Sequence, residues 1–399
     1  MLNRIAILTV FVVLSVSHSA AFATDANGLF WLFQRTGYTT ATSSQTALGM
    51  GDSKSWPVVF SLANGSAQAY ALTPVRNFST NTYWNQIGTN ILTGTGTLSA
   101  KSSSDGRVGV SIANSFSSYY YGYSGTAGSA IVGRRSTGFT SQIPNVQGIT
   151  FDQAGAVVTA SVDTLAGSGI NQFSLPTVQS IATSPFGSIG VLTSTSGLLS
   201  YYEKSPLTGW SAETIRSGTI VGGDLAIDTI GRPFVAYSGL ISSGSGVHAS
   251  HFDVMSGQWK TSTFALPSGM YPTNPTIAAD GIGGIGMAWM ATTSSGSNSL
   301  MYAYKNGVKD WALHTVTSFM VAPGTSSSML LPQQRVGLDF DANDWPVISF
   351  LANSSGGYGS TADIWIAYDP IVVPEPSAIV LAAAGFAGMC YAARRKRGR

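Results

Sequence analysis

The stretch Asp228-Thr-Ile-Gly231-Arg-Pro233-Phe-Val-Ala-Tyr237 is the clearest copy of a pattern that recurs along the chain. The pattern is an Asp, two variable residues, a Gly or a substitute, any residue, a Pro or an aliphatic residue, and then an apolar run. An Asp at the first position can cap a β-turn with its side chain, Gly can adopt a positive φ, and Pro stiffens the entry to the next strand. Each copy therefore predicts a turn between two strands.

Seven copies start near residues 52, 103, 152, 184, 228, 280 and 341, at intervals of 32 to 61 residues. A third apolar run follows most turns. A fourth often opens with Trp, at Trp84, Trp210, Trp259 and Trp311. Four strands in a unit of this length are typical of β-propeller blades. We therefore predict an all-β fold, a seven-bladed β-propeller, with an array of β-sandwiches as the alternative.

The last copy lacks a fourth strand, whereas residues 29–34 precede the first copy and contain Trp31. We expect this N-terminal strand to pair with residues 364–368 and to complete the last blade, because a closed ring leaves no sheet edge free. Side chains alternate along a strand, so Phe30 and Leu32 are expected on one face and Trp31 and Phe33 on the other.

Residues 1–23 have the features of a signal peptide. Asn3-Arg4 is a short positive region, residues 5–16 are apolar, and Ala21-Phe22-Ala23 is a small-residue cleavage site. Such segments are removed on export. We predict cleavage after Ala23, so that the body spans residues 24–370. An uncleaved membrane anchor is the alternative.

Residues 371–399 form a tripartite tail. The polar motif Val373-Pro374-Glu375-Pro376-Ser377 precedes an uncharged apolar stretch, residues 378–393, and then a basic end, which comprises Arg394, Arg395, Lys396, Arg397 and Arg399. A helix over residues 377–393 would be about 25 Å long, which is near the lower limit for crossing a bilayer. The positive charges place that end in the cytoplasm. The tail therefore predicts a transmembrane helix with the body on the periplasmic side.

The residues of this tail and the order of its three parts resemble the PEP-CTERM sorting signal of Gram-negative, exopolysaccharide-producing bacteria. The resemblance implies an exosortase, a membrane cysteine transpeptidase, as a partner that processes the chain at or near Pro374-Glu375-Pro376. It also implies transient anchoring by the helix and then release or transfer of the body to the cell surface or extracellular matrix.

The charge of the body gives no sign of nucleic acid binding. Without both end segments, 14 Lys and Arg and 17 Asp and Glu remain of the 20 and 18 in the chain, a net charge near −3. The one cysteine, Cys390, lies in the apolar stretch, so the body offers no thiol nucleophile or thiolate ligand. We expect no metal and no cofactor.

The turns are weakly similar to those of BNR-type, sialidase-like propellers. None of the copies has the Trp that ends an S-x-D-x-G-x-x-W Asp-box, and Glu203 and Glu213 are the only glutamates of the body. The family's catalytic members need three arginines with a Tyr/Glu pair, and no spacing links the arginines here. They are Arg35, Arg76, Arg107, Arg134, Arg135, Arg216, Arg232 and Arg335. We predict no catalytic residue.

Three local clusters have alternative explanations. Tyr201-Tyr202-Glu203-Lys204 could form a sugar-binding edge, although we expect a solvated loop after a strand. His248 and His251 form the only close histidine pair, but alternation places them on opposite faces of a strand. Tyr119-Tyr120-Tyr121-Gly122-Tyr123 could stack on sugars, although packing between blades is favoured.

Two functions remain open. One is a non-enzymatic surface propeller that binds extracellular polysaccharide or protein. The alternative is a secreted glycoside hydrolase or lyase that acts on polysaccharide, for which two carboxylates would have to flank the scissile bond.

Overall fold

The turn pattern and the apolar runs produce an all-β structure. The computed structural model describes residues 21–24, 30–41, 45–51, 54, 56–77, 82–94, 97–103, 107–112, 119–122, 146–152, 157–161, 165–166, 178–195, 197–207, 209–241, 244–266, 269–293, 297–306, 310–320, 331–352 and 361–368. Within these residues every regular element is a β-strand. The all-β prediction is confirmed.

The N-terminal half of the described chain contains sixteen strands. They are β1 (Ala21–Thr24), β2 (Phe30–Ala41), β3 (Gln45–Gly51), β4 (Trp56–Ala63), β5 (Ser66–Asn77), β6 (Thr82–Thr93), β7 (Leu98–Ser102), β8 (Arg107–Ile112), β9 (Tyr119–Gly122), β10 (Val146–Phe151), β11 (Val157–Ser161), β12 (Leu165–Ala166), β13 (Val178–Thr183), β14 (Ile189–Thr195), β15 (Leu198–Ser205) and β16 (Gly209–Ser217).

The C-terminal half contains thirteen more in its described part. They are β17 (Thr219–Ile227), β18 (Pro233–Ile241), β19 (Gly244–Asp253), β20 (Gln258–Phe264), β21 (Met270–Asn274), β22 (Thr276–Ala279), β23 (Gly284–Thr293), β24 (Ser297–Asn306), β25 (Ala312–Met320), β26 (Leu331–Arg335), β27 (Gly337–Phe340), β28 (Pro346–Ala352) and β29 (Thr361–Tyr368).

The described strands form seven sheets. In chain order these are β3–β6, β7–β9, β10–β12, β13–β16, β17–β20, β21–β26, and a last sheet with the order β1-β2-β29-β28-β27. We call the strand that precedes the repeated turn the first strand of its sheet. The first strands contact one another in the order β3, β7, β10, β13, β17, β22, β27, and β27 also contacts β3. The first strands therefore lie together at the centre of the body.

The predicted turns connect the first strand of a sheet to the second. Asp228 Oδ1 accepts the amides of Ile230 at 3.0 Å and Arg232 at 2.8 Å. Asp280 and Asp341 accept the amides two and four residues on in the same way. Ser184 Oγ makes the same pair of bonds, to Phe186 and Ser188. A short polar side chain thus satisfies turn amides that a strand partner cannot reach, as predicted.

The fourth turn position requires a positive φ. Gly187, Gly231 and Gly283 occupy it with φ of 81°, 82° and 93°. Asp344 takes the same position in the copy at 341 with a φ of 63°, which Asp tolerates better than most residues. The copy at 52 departs from the pattern, because the positive φ of 64° falls on Lys54, one position early. Asp52 and Ser55 lie outside the described residues.

Apolar side chains fill the spaces between neighbouring sheets. One core cluster joins β2, β27 and β28 to the facing side of β23 and β24 through Trp31, Tyr302, Leu338 and Phe350. Comparable clusters lie between β17–β20 and β21–β25, and between the last sheet and β3–β6. Each sheet therefore buries a face against its neighbour, and the burial stabilises the assembly by the hydrophobic effect.

The predicted pairing of the N-terminal strand with the last sheet is confirmed. Leu32 lies opposite Tyr368, Phe33 opposite Ala367 and Gln34 opposite Ile366. Trp31 and Phe33 are buried, and Leu32 on the other face is half-buried. The strand therefore connects residues more than 300 positions apart in the chain and packs its aromatic face into the core.

The predicted signal peptide and sorting tail lie mostly outside the described residues. Among the residues that the structure describes, no helix is long and apolar enough to cross a membrane. The predicted helix at 377–393 lies outside them. Ala21 and Ala23 lie on β1, which pairs with β2, so that cleavage after Ala23 would leave only Thr24 of this strand.

Replacing Trp31 tests the contribution of β2. Trp31 is 2% exposed and its ring meets Tyr302 edge-on, with centroids 5.6 Å apart. We expect Trp31→Ala to lower the free energy of unfolding by about 3–5 kcal/mol, because the core cannot refill the cavity. Thr39→Ala, at an exposed position of the same strand, should change it by less than about 0.5 kcal/mol. Urea denaturation measures both, and equal effects would contradict the role assigned to β2.

Candidate functional site

The centre of the body contains a buried carboxylate on a first strand. Asp224 lies on β17, and its side chain is 2% exposed. The residues that bind it come from four strands of three other sheets. They are Lys101 on β7, Ser180 on β13, Thr276 on β22 and Arg335 at the end of β26. We call these five residues the Asp224 cluster.

Each oxygen of Asp224 accepts three donors. Oδ1 accepts the Lys101 ammonium at 3.2 Å, the Ser180 hydroxyl at 2.7 Å and the Leu225 amide at 3.0 Å. Oδ2 accepts the Arg335 guanidinium at 2.8 Å, the Thr276 hydroxyl at 2.9 Å and the Ile277 amide at 3.2 Å. Lys101 also donates to the Leu225 carbonyl at 3.0 Å. The carboxylate therefore has no free lone pair to offer a substrate.

Electrostatics keeps Asp224 ionised. Burial alone would raise its pKa, but the positive charges of Lys101 and Arg335, with the hydrogen bonds from Ser180 and the Ile277 amide, outweigh burial and hold the pKa well below its usual range. A general acid needs the opposite shift, towards neutral pH. The arrangement suits a structural ion pair that connects sheets, and it does not suit proton transfer.

A second carboxylate, Asp339, lies on the first strand of the last sheet. It accepts the Met50 amide at 3.0 Å and a short hydrogen bond from the Ser102 hydroxyl. Its other oxygen accepts the Phe340 amide at 2.8 Å. Asp339 thus links β27 to β3 and β7, as Asp224 links β17 to β7, β13 and β22.

Thr46 adds a further link at the same centre. Its hydroxyl lies 3.2 Å from the carbonyl of Arg335 and 3.0 Å from that of Ser349. Gln45 accepts the amide of Leu98 at 2.9 Å. The first strands are therefore connected by side-chain hydrogen bonds in addition to their apolar contacts.

The Asp224 cluster was not predicted from the sequence. A signal was present, since Ser180, Asp224 and Thr276 each lie four positions before the capping residue of a turn. Arg335 was considered only as one arginine of a sialidase set. The structure gives it a buried ion pair with Asp224 instead.

The histidine pair has ordinary packing. His248 is buried, with its ring nitrogens 3.1 Å from Thr263 Oγ1 and 3.3 Å from the Gly239 carbonyl, and burial lowers its pKa. His251 is half-buried and stacks on Phe234. The two lie on opposite faces of β19, as predicted. Among the described residues, no group of three or more His, Cys, Asp or Glu side chains could hold a metal.

The prediction for Tyr201-Tyr202-Glu203-Lys204 was wrong. These residues form the middle of β15 and not a loop, because they pair with β14 on one side and β16 on the other. Tyr201 is buried beside Trp259, whose indole donates to Glu213 at 2.8 Å. Burial raises the pKa of Tyr201 well above its usual value.

The remaining residues singled out in the sequence lie on β9 or outside the described residues. Tyr119, Tyr120 and Tyr121 lie on β9. Tyr123, the sorting motif Val373–Ser377 and the basic residues Arg394, Arg395, Lys396, Arg397 and Arg399 lie outside the described residues.

Comparison with protein families identifies the tail. Residues 372–397 match the PEP-CTERM protein-sorting motif, which implies export and processing by an exosortase. A search of curated proteins finds no match.

Similar solved structures are β-propeller proteins. A catalytically inactive virginiamycin B lyase from Staphylococcus aureus is 10% identical, covers 85% of this chain and 99% of its own, and gives a TM-score of 0.49. YCF48 bound to a D1 peptide is 11% identical, with coverage of 86% and 97% and a TM-score of 0.48. A mutant of AofleA from Arthrobotrys oligospora is 12% identical, with coverage of 83% and 85% and a TM-score of 0.43.

Neutralising Asp224 should destabilise the fold. We expect Asp224→Asn to lower the free energy of unfolding at pH 7 by about 3–5 kcal/mol, because Lys101 and Arg335 lose their buried counter-charge. The folded-state pKa of Asp224 lies below the unfolded value, so its contribution is present above about pH 4 and is lost as the pH falls towards the folded pKa. The difference between the two proteins should therefore shrink below about pH 4.

Asp253→Asn is the matched control. This partly exposed carboxylate pairs with the exposed Lys260 and also has a lowered pKa, but the pair lies at the surface, where solvent screens it. It should change stability far less than Asp224→Asn at pH 7. Chemical denaturation at pH 7, 5 and 3 measures both, and a pH-independent effect of Asp224→Asn would contradict the electrostatic account.

Proposed function

We propose that this chain is an exported β-propeller protein without catalytic activity, which is sorted to the cell surface and binds extracellular polysaccharide or protein there. The sorting motif at residues 372–397 is the observation that carries the proposal. The motif implies export and exosortase processing, so the body works outside the inner membrane.

The body in this proposal is a closed ring of seven blades. The contacts between successive first strands, which lead from β3 round to β27 and back to β3, support this arrangement. The pairing of β2 with β29 supplies the last blade with a fourth strand from the other end of the body. A ring closed by pairing between its two ends resists opening, because the last blade cannot separate without loss of that pairing.

The chain has three segments in this proposal. Residues 1–23 are a signal peptide cleaved after Ala23, residues 24–370 are the propeller, and residues 371–399 are the sorting tail. A transmembrane helix over residues 377–393 anchors the chain until the exosortase acts near Pro374–Pro376, with the basic end in the cytoplasm.

The carboxylates of the body support a non-enzymatic role. Asp224 is saturated with six donors and held ionised. Asp228, Asp280 and Asp341 cap turns. A glycosidase needs one carboxyl group with a raised pKa and a second that faces the scissile bond. A polysaccharide-acting hydrolase or lyase is the alternative function.

Processing of the tail can be measured directly. In a host that has an exosortase, we expect mass spectrometry of the secreted protein to find no peptide from residues 391–399, because the basic tail stays in the membrane. Replacing Pro374, Glu375 and Pro376 together by Ala should retain the full tail and keep the protein in the membrane fraction. Secreted protein that still contains residues 391–399 would contradict the proposal.

Binding and catalysis can be separated with the processed protein. We expect specific retention of extracellular polysaccharide on a glycan array or by pull-down, without shortened chains or unsaturated products after prolonged incubation. Release of oligosaccharides would favour the hydrolase or lyase. A heat-unfolded sample serves as the control, because loss of the fold should abolish specific binding.

A further inference from the structure

Six large apolar side chains of the described residues are more than 60% exposed. They are Phe186 at 67%, Leu207 at 94%, Ile230 at 61%, Val254 at 70%, Met255 at 96% and Ile282 at 68%. Scattered exposed apolar residues are normal on a protein surface. These six differ from scattered residues because they all lie in turns at one end of the sheets.

All six lie in turns at the same edge of the sheets. Phe186, Ile230 and Ile282 occupy the third position of three turns that connect a first strand to a second. Leu207 lies between β15 and β16, and Val254 and Met255 lie between β19 and β20, where a third strand turns into a fourth. First and third strands of an antiparallel sheet run in the same direction, so both kinds of turn lie at the same end.

Contacts between the turns bring four sheets into one surface. A Cβ on Gly231 would lie 3.1 Å from Phe186 of the neighbouring sheet, and one on Gly283 would lie 3.0 Å from Thr229. The Gly281 amide donates to Asp344 of the last sheet at 2.5 Å. We call this edge, with its six exposed apolar side chains, the turn face.

The described chain also ends at the turn face. Tyr368, the last residue of β29, lies opposite Val347, which follows the turn at residues 341–345. Eight residues, 369–376, separate Tyr368 from the predicted helix. A linker of that length reaches at most about 29 Å. The anchored body is therefore held close to the bilayer by the edge that carries the apolar side chains.

At the opposite edge, the exposed large apolar side chain among the described residues is Leu198 at the start of β15, which is 39% exposed.

Two cations near the turn face are paired within the protein. Arg232 lies 2.7 Å from Asp228, and Lys260 forms an ion pair with Asp253. The six exposed side chains offer apolar contact, and an uncharged lipid surface suits it. Apolar side chains on separate turn tips insert into a bilayer interface without needing a groove of matching shape.

We infer that the turn face docks on the zwitterionic lipid leaflet that the C-terminal tail enters, with its six apolar side chains in the interface. The inference rests on the proposed membrane anchor. Docking holds residues 373–377 at the membrane surface until the chain is processed, and it fixes which edge of the body faces away from the membrane.

Spin labels on the full chain test this inference. The unprocessed protein, with Cys390→Ser, is reconstituted into phosphatidylcholine vesicles and labelled at Met255→Cys on the turn face or at Leu198→Cys on the opposite edge. We expect the label at 255 to be more accessible to oxygen than to a water-soluble nickel complex, and the label at 198 to show the reverse. Raising the salt concentration should change neither result.

A second variant separates docking from folding. Phe186→Ser, Leu207→Ser and Ile282→Ser together alter only exposed side chains, so the melting temperature should stay unchanged. In this background we expect the label at 255 to become accessible to nickel while the protein remains with the vesicles after alkaline extraction.

Three outcomes would overturn the inference. Nickel accessibility at position 255 in the parent protein, with the protein still membrane-bound, would contradict docking while leaving the anchor intact. Loss of the parent protein from the vesicles on alkaline extraction would contradict the anchor, and docking with it. Spin–spin broadening at position 255 would show that a second copy covers the face.

Discussion

The structure depends on a hydrogen-bonded turn in which one short polar side chain accepts two backbone amides, two and four residues ahead. Asp228 makes these bonds at 3.0 and 2.8 Å, and Asp280, Asp341 and Ser184 repeat them. In these four sheets the turn fixes the register between the first and second strands. Because the register is fixed, the residue four positions before the cap has the same place on its strand, and two such residues, Ser180 and Thr276, meet a third, Asp224.

Two long-range connections then hold the sheets together. The Asp224 cluster joins strands that are far apart in sequence through a carboxylate with six donors. The second connection is the pairing of β2, near the N-terminus, with β29, near the C-terminal end of the described residues. Their physical character differs. The cluster compensates the cost of burying charge by complete pairing, whereas β2 contributes backbone hydrogen bonds and the buried ring of Trp31.

The sequence was sufficient for features that depend on neighbours in the chain. The capped turns depend on residues close together in the chain, and a Trp lies at or near the start of several fourth strands. Turns and fourth strands were therefore predicted correctly at these positions. The partner of β2 was predictable because the last repeat lacked a strand and residues 29–34 had the character of the missing one. The Asp224 cluster was not predicted, since Lys101 and Arg335 approach Asp224 only when several strands meet. Phe186, Ile230 and Ile282 resemble core residues in the sequence, and only the structure shows that their side chains are exposed.

The account links these features to export. The same turns that organise the sheets form the edge from which the tail leaves, and the β2–β29 pair places both ends of the body there. The central claim is that β2 is an integral part of the last sheet, and native-state hydrogen exchange of the processed protein tests this most directly. The account predicts that amides of β2 and β29 exchange only through global unfolding, with the same protection as those of β17 and β18. Exchange of the β2 amides through a local opening, at a free energy well below that of β17, would contradict it.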